Sequence, residues 1–427
     1  SQLKQVGAAI GLYPNGLAAL NGISPTVLHK VQQHSIPSRY FERRNLQDDV
    51  IQTTDVQQIK AVSPVMFAWY LLQQYLAEAL PPDTLQLGHA FESYRVLPNG
   101  LVQVTFSKSK DENDNINSNN NATTTVKDKD TISRTCRVLI GADGINSKVR
   151  RQMLRQQPRV QYYNKVMYRA VIQQHDNPKL FEQYCPPAGT QVSYQGEEKG
   201  KSFSLRETSP GILTITAACN VDHVPPSNKM GTKQTPATIK SQRKKQPRLL
   251  DLFADHPKPV QDIVQSLDPL SIHEDYIRDI DIPDQWCNDA DNVVLCGDAI
   301  HAMTPHMGQG ANMCFEDVCE LVNNILLPGL FLSTSTTTSL TSTTRRRRSW
   351  NLHQLHEKRR DRVQQVQERS RQNTMQSNTY DKQTASIPFE RRKYTQEFKE
   401  KLYEWKPPPP AAKRISSSTT ETAKLQG

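Results

Sequence analysis

In 427 residues the chain has no CxxC pair, no metal-ligand spacing and no internal repeat. No apolar run reaches membrane-spanning length; the stretch from Ile325 to Leu332 is short and interrupted by Pro328, so a transmembrane helix is excluded. Apolar residues are scarce at 36%, but the deficit is local, sitting in polar runs such as Asp111 to Asn121. The segments between those runs are normally globular, and the length suits two ordinary domains. Seven cysteines (Cys136, Cys185, Cys219, Cys287, Cys296, Cys314 and Cys319) are odd in number and widely scattered. That pattern speaks against a disulfide framework and for reduced thiols, several of them small core residues. The net charge is +10, yet the basic residues cluster at Arg345 to Arg348, Arg243 to Lys245 and Lys358 to Arg362. Without interleaved aromatics these clusters read as solvated surface, and no nucleic-acid partner is expected. The chain starts at Ser1, so a leader cannot be read, and compartment and oligomeric state are not encoded in any visible signal.

What is present falls into ordered blocks separated by polar ones. Near the start, Pro14-Asn15-Gly16 reads as a turn before an apolar helical patch at Leu17 and Leu20. Val65 to Leu80 has helical periodicity and ends at Pro81-Pro82. Leu85 to Phe106 alternates as a hairpin with its turn at Pro98-Asn99-Gly100, and a flexible insertion is expected over 107–133. Strands are expected at Val166 to Tyr168, Gln191 to Tyr194 and Ile212 to Ala218, then a loop over 224–247. Helices are expected around Leu249 to Phe253 and Val260 to Leu267. A low-complexity linker covers 333–349, a charged helix 350–373, and a polar, partly disordered tail 374–427.

Two segments share one logic, in which a short apolar strand ends in glycine, an aspartate follows, and a helix begins. The first is CRVLIGADGINSKVR, the second VVLCGDAIHAMTPHMGQGANMCFED. Beyond the carboxyl end of a parallel strand, an aspartate can accept hydrogen bonds from sugar-like hydroxyls, and glycines let the backbone approach a ligand. In the second segment Asp298 follows the strand, and Gly308-Gln309-Gly310 precedes a helix whose inward positions are expected at Cys314, Val318, Leu321, Val322 and Ile325. Unpaired amides at that helix start suit an anionic or electron-rich atom. Glu316 and Asp317 are explained by the helix dipole, and Cys314 and Cys319 by the core. His301 and His306 lack a third ligand, so no metal is expected.

The pair of segments resembles the FAD-dependent aromatic-ring monooxygenases of the p-hydroxybenzoate hydroxylase and salicylate hydroxylase type. NVVLCGDAIHAMTPHMGQGANMCFEDVCEL is similar to their GDAAHxxxPxxGQGxNxxxEDAxxL motif, and CRVLIGADGINSKVR to their DGxxSxxR signature. The resemblance implies an α/β fold, an FAD-binding Rossmann-like domain of the glutathione-reductase type with an inserted mixed β-sheet substrate domain. Residues 1–159 and 281–332 would be the two parts of the FAD-binding domain, and 160–280 the substrate side. Cofactor contacts implied are Asp143, Gly144, Arg150, Gly297, Asp298, Pro305, Gly308, Gln309, Gly310 and Asn312, with Ser147 beside them. No GxGxxG occurs, so the N-terminal βα unit is expected to be missing, roughly 30 residues in a βαβ unit. Trp69 stands where the family places an arginine, and is expected to pack in the core. The implied reaction uses NADH or NADPH to reduce FAD, and O2 to hydroxylate or epoxidise a small organic substrate through a flavin hydroperoxide. No side chain acts as nucleophile, because the flavin carries the chemistry. Tyr168 and Arg169 are weak candidates for lining the substrate side and are read as exposed strand residues. Other flavin oxidoreductases of the same architecture, or a relative that no longer binds FAD, remain alternatives.

Overall fold

The computed structural model describes residues 9–56, 64–108, 131–195, 200–221, 244–328, 350–378 and 397–409. Four sheets are present among them. The first joins β1 (Ala9–Leu12), β5 (Val65–Ala68) and β2 (Ile36–Pro37) in that order. The second is a hairpin-based sheet of β6 (His89–Val96), β7 (Val102–Lys108) and β8 (Thr131–Cys136), all antiparallel. The third is a parallel pair, β9 (Leu139–Gly141) beside β15 (Val293–Leu295). The largest sheet has seven strands, ordered β14 (His273–Ile280), β10 (Val160–Gln173), β13 (Ile212–Asn220), β12 (Ser202–Ser209), β11 (Thr190–Gln195), β3 (Tyr40–Arg44) and β4 (Val50–Asp55). Only its β11–β3 contact is parallel, so it is mixed.

Packing explains why these segments take these forms. In β10 the later residues alternate buried and half-buried, as a strand covered on one face requires. That face meets the helices Lys245–Leu252 and Lys258–Ser266, forming a core around Phe203, Leu213, Ile215, Phe253 and Ile263. A second core surrounds β15 and takes in Trp286, Ile300, Met313, Leu352, Leu355 and Val363. A third lies under β1 and the helices Pro14–Ile23, Pro25–His34 and Trp69–Glu78. Each large aliphatic side chain fully buried in this way contributes about 1.5–3 kcal/mol.

Several expectations need correction. Pro14 opens a helix instead of a turn, because its fixed φ suits the first helical position. The stretch over 65–80 begins as a strand: Val65–Ala68 pairs with β1 and β2 before the helix starts at Trp69. β-branched and aromatic residues there fit a ladder between two partners. Residues 109–130 of the expected insertion lie outside the described residues, but its ends belong to β7 and β8. Of the loop over 224–247, residues 224–243 lie outside the described residues, and Lys245–Leu252 is helical with Pro247 in its first turn. The linker 333–349 also lies outside them. The tail is partly ordered: helix His353–Asn378 runs past residue 373, and residues 397–403 are helical with Leu402 in the core. The largest sheet takes β3 and β4 from the segment before residue 159. Among the described residues no helix is long and apolar enough to cross a membrane.

Candidate functional site

The two glycine–aspartate loops start side by side. In the parallel pair Val293 faces Leu139 and Leu295 faces Gly141, so both loops leave the same end of the same sheet. The Cys296 amide donates to the Gly141 carbonyl at 3.0 Å, extending the pairing to the rim. Arg150 then ties the loops together, donating to the carbonyl of Ala299 at 2.7 Å and to that of Ile145 at 2.6 Å. It is buried, its Nε has no partner among the described residues, and burial followed by the charge of Arg151 pushes its pKa down.

In the later loop, Gly297 has φ +61°, and a Cβ there would meet the Cys314 sulfur at 2.6 Å. Only glycine allows this turn to lie against the following helix. Asp298 comes next and is exposed, although Gly297 and Ala299 on either side are buried. Its carboxylate accepts no hydrogen bond among the described residues. The surrounding protein nevertheless desolvates it enough to raise its pKa, against the pull of His301. Pro305 and Gly308 are exposed at either end of a short 3-10 turn, Pro305–Met307. Gly308 is left-handed at φ +61°, with the Tyr13 ring 3.1 Å from where a Cβ would stand.

Past Gly308 the helix Gly310–Cys319 begins. The amides of Gln309, Gly310, Ala311 and Asn312 have no acceptor among the described residues, as expected for a first turn. Gln309 is buried; its Oε1 accepts from Asn15 Nδ2 at 3.0 Å, and its Nε2 is orphaned. Asn312 is also buried, and it works inward. Its Oδ1 accepts from the Tyr13 amide, and its Nδ2 donates to the carbonyls of Gly11 and Gly308. It therefore positions the loop through backbone.

In the earlier loop Asp143 is exposed, but its carboxylate is engaged locally. Ser147 Oγ and the amides of Lys148 (2.6 Å) and Val149 (3.2 Å) all donate to it. Asp143 thus caps the helix Lys148–Met153, as its neighbour Ser147 also does through Arg150 N. Gly144, at φ +77°, borders open space.

Glu316 and Asp317 require a different account from the dipole one. Both lie well beyond the helix's first turn, are fully buried, and meet basic groups from the C-terminal helix His353–Asn378. Arg359 donates to Asp317 at 2.9 Å and to Glu316, while Arg362 makes two bonds to Glu316 at 2.7 and 2.8 Å. Asp317 also accepts from the Gly297 amide at 3.1 Å and lies 2.5 Å from His301 Nε2. Burial alone would raise its pKa; His301 and Arg359 outweigh this and hold it at about 2. Glu316 accepts from Asn15 Nδ2 at 2.7 Å. The buried face of this helix is thus Met313, Glu316, Asp317 and Cys319, with Leu321 and Ile325 beyond, and Cys314, Val318 and Val322 only half-buried. The π-type segment Glu320–Leu326 rotates the face away from ideal spacing.

Asn15, Arg359 and Arg362 escaped sequence reasoning because the Lys358 to Arg362 cluster reads as solvated; the apolar Leu355, Val363 and Val366 around it were the available signal. His306 Nδ1 lies 2.8 Å from Thr374 Oγ1 on that same helix, and burial pushes its pKa down to about 4. Trp69 is half-buried against the third core, as expected. Tyr168 is buried and donates to Glu274, while Arg169 pairs with Asp275; both are tied to β14 and neither is an exposed strand residue. A further group was missed. Arg206 on β12 is 5% exposed and, among the described residues, bonds only Ser38 and Gln191. Burial lowers its pKa to about 10, and the group that opposes this is Tyr13, beside Gly308.

Comparisons with known proteins bear on the family and the fold. The model of the family described as FAD binding domain matches residues 98–370. Over 334 residues the chain is 25% identical to 3-amino-4-hydroxybenzoate 2-monooxygenase of Streptomyces cremeus, covering 75% of this chain and 69% of that one. It is 29% identical over 200 residues to 3-hydroxybenzoate 6-hydroxylase of Klebsiella oxytoca, and that match spans 44% of this chain and 42% of the relative. Among solved structures, Klebsiella pneumoniae HpxO complexed with FAD and uric acid shares the fold with a TM-score of 0.59 at 19% identity, covering 99% of this chain and 88% of that one.

Proposed function

This chain belongs to the FAD binding domain family, and from that premise we propose that it is an FAD-dependent monooxygenase of the aromatic-hydroxylase type, using NAD(P)H and O2 on a small organic substrate. When bound, FAD accepts hydride from the nicotinamide cofactor and delivers activated oxygen to the substrate. The observation that supports this reading is that the two glycine–aspartate loops leave the same end of one parallel strand pair, the later one carrying an exposed carboxylate and helix-start amides with no acceptor among the described residues.

The residues present fit such a group. Asp298 would accept from the ribitol hydroxyls, as an exposed carboxylate with no hydrogen bond among the described residues is suited to do. Gly297, Pro305, Gly308, Gln309 and Gly310 would line the ring, with the amides of the helix start facing its electron-rich edge. Asp143, Gly144, Arg150 and Asn312 would shape the two loops, and Arg150's spare Nε–H would favour a nearby phosphate. The flavin side would comprise residues 1–159, apart from β3 and β4, and 281–332; the substrate side would comprise 160–280 together with those two strands. Arg206 is a buried cation with no carboxylate partner among the described residues. Leaving such a charge uncompensated is costly, so a substrate carrying a carboxylate or phenolate is favoured.

Purified full chain supplemented with FAD tests the reading. Expected are a protein-bound flavin spectrum, and NAD(P)H oxidation with oxygen uptake that aromatic carboxylates stimulate more than their amides. A protein that takes up no flavin would overturn it. Flavin binding with equal response to acids and amides would remove the anionic-substrate part alone.

A further inference from the structure

Away from the cleft, Cys287, Asp291 and His353 come together from two segments far apart in sequence. One donor atom from each, a sulfur, a carboxylate oxygen and a ring nitrogen, lies within 4.8 Å of the others. Tetrahedral zinc at 2.0–2.3 Å from its ligands needs them roughly 3.5 Å apart. The three donors thus lie within side-chain adjustment of a shared ion.

The backbone that carries these groups is already held. Cys287 bridges Val294 of β15, and the Asn288 amide donates to the Val293 carbonyl at 3.0 Å. Asn288 Oδ1 accepts from the amides of Asn292 and Val293, closing the turn from inside. Asp291 adopts a left-handed conformation, φ +53°, which non-glycine residues seldom take. Its Oδ1 accepts from the Leu352 amide at 2.6 Å, next to His353 at the start of the C-terminal helix. Cys287 is 1% exposed, and its thiol has no hydrogen-bond partner among the described residues. A buried thiol aimed at an imidazole and a carboxylate has few structural uses in that geometry.

We propose that Cys287, Asp291 and His353 form a zinc site that clips the start of the C-terminal helix to the loop before β15. The donor set selects the metal class. Thiolate with imidazole suits zinc or a similar borderline ion, whereas calcium and magnesium require oxygen ligands. Binding would displace the Cys287 thiol proton to solvent, leaving a thiolate on the metal, and water would complete the fourth position. The consequence reaches the cleft. Trp286, adjacent to Cys287, packs against His301 and His356, and the clipped helix carries Arg359 and Arg362 under the Asp298 loop. Zinc would stiffen that support without touching the cofactor.

The test is zinc binding to metal-stripped full chain, followed by equilibrium dialysis with elemental analysis and by thermal unfolding. Wild type should take up one zinc per chain and melt at a higher temperature with zinc present. His353→Ala removes an exposed ligand and leaves the core intact. It should bind at least roughly tenfold more weakly and lose the zinc-dependent rise in melting temperature. Cys287→Ser should behave likewise where it folds, and His175→Ala, at an exposed histidine elsewhere, should match wild type. Absence of zinc uptake by wild type, or uptake and stabilisation unchanged in His353→Ala, would overturn the proposal.

Discussion

In the proposed function Asp298 is the side chain that would bind the cofactor, because it is exposed, desolvated by its surroundings and without a side-chain hydrogen bond among the described residues. Removing it leaves no buried group behind, so its loss should appear in binding and not in folding. A hydrogen bond to a charged group is worth about 1.5–3 kcal/mol. Asp298→Ala should therefore weaken FAD roughly 10- to 150-fold, measured by titration of flavin fluorescence, with an unchanged melting temperature for the flavin-free protein. Affinity equal to wild type would show that the carboxylate faces something other than the cofactor. Gly308 follows a related logic: at φ +61° any side chain is strained, and a Cβ there would crowd the Tyr13 ring at 3.1 Å.

At the scale of elements, the C-terminal helix acts as a brace. Arg359 and Arg362 face Glu316 and Asp317 in the interior, and Asp317 holds both the Gly297 amide and His301. Breaking a buried pair by deleting one partner costs about 3–5 kcal/mol, since the other charge is left uncompensated. Arg359→Met is expected to lose that much in denaturant unfolding. The pH dependence follows from the depressed pKa of Asp317. Its contribution is complete above the ordinary carboxyl range near pH 3.9, and is lost as pH falls through about 2. Removing Arg359 raises that folded-state pKa, so the acid transition should move to higher pH. A variant with wild-type stability and an unmoved acid transition would show that the ion pairs do not hold the loop.

For the whole molecule, the outcome depends on segments that return to the core from far along the chain. Leu402, in the tail, is buried, and its carbonyl accepts from Arg362 at 2.7 Å. Tyr403 beside it stacks on Tyr13 at 5.4 Å between ring centres, and Tyr13 lies against the Gly308 loop. Leu402→Ala should cost about 2–5 kcal/mol by cavity formation, read from denaturant unfolding, and a change below 0.5 kcal/mol on the order of surface effects would mean that the tail is only loosely docked.

Much of this was legible in residues. The strand–glycine–aspartate pattern is local: apolar side chains force a buried strand, and glycine permits the turn that follows, whatever lies elsewhere. Hence the sequence by itself determined both loops, the hairpin at Pro98-Asn99-Gly100, strands β10, β11 and β13 of the large sheet but not β12 or β14, and the family to which these belong. It did not determine which charges are buried. A run such as Lys358 to Arg362 looks solvated until a second helix supplies Glu316 and Asp317 across a span that no periodicity records. Nor could it show that Arg206 sits alone, that β3 and β4 join the large sheet, or that Cys287, Asp291 and His353 meet. Those are facts of long-range packing, where the energy of a side chain depends on its partner and the partner is chosen by the fold.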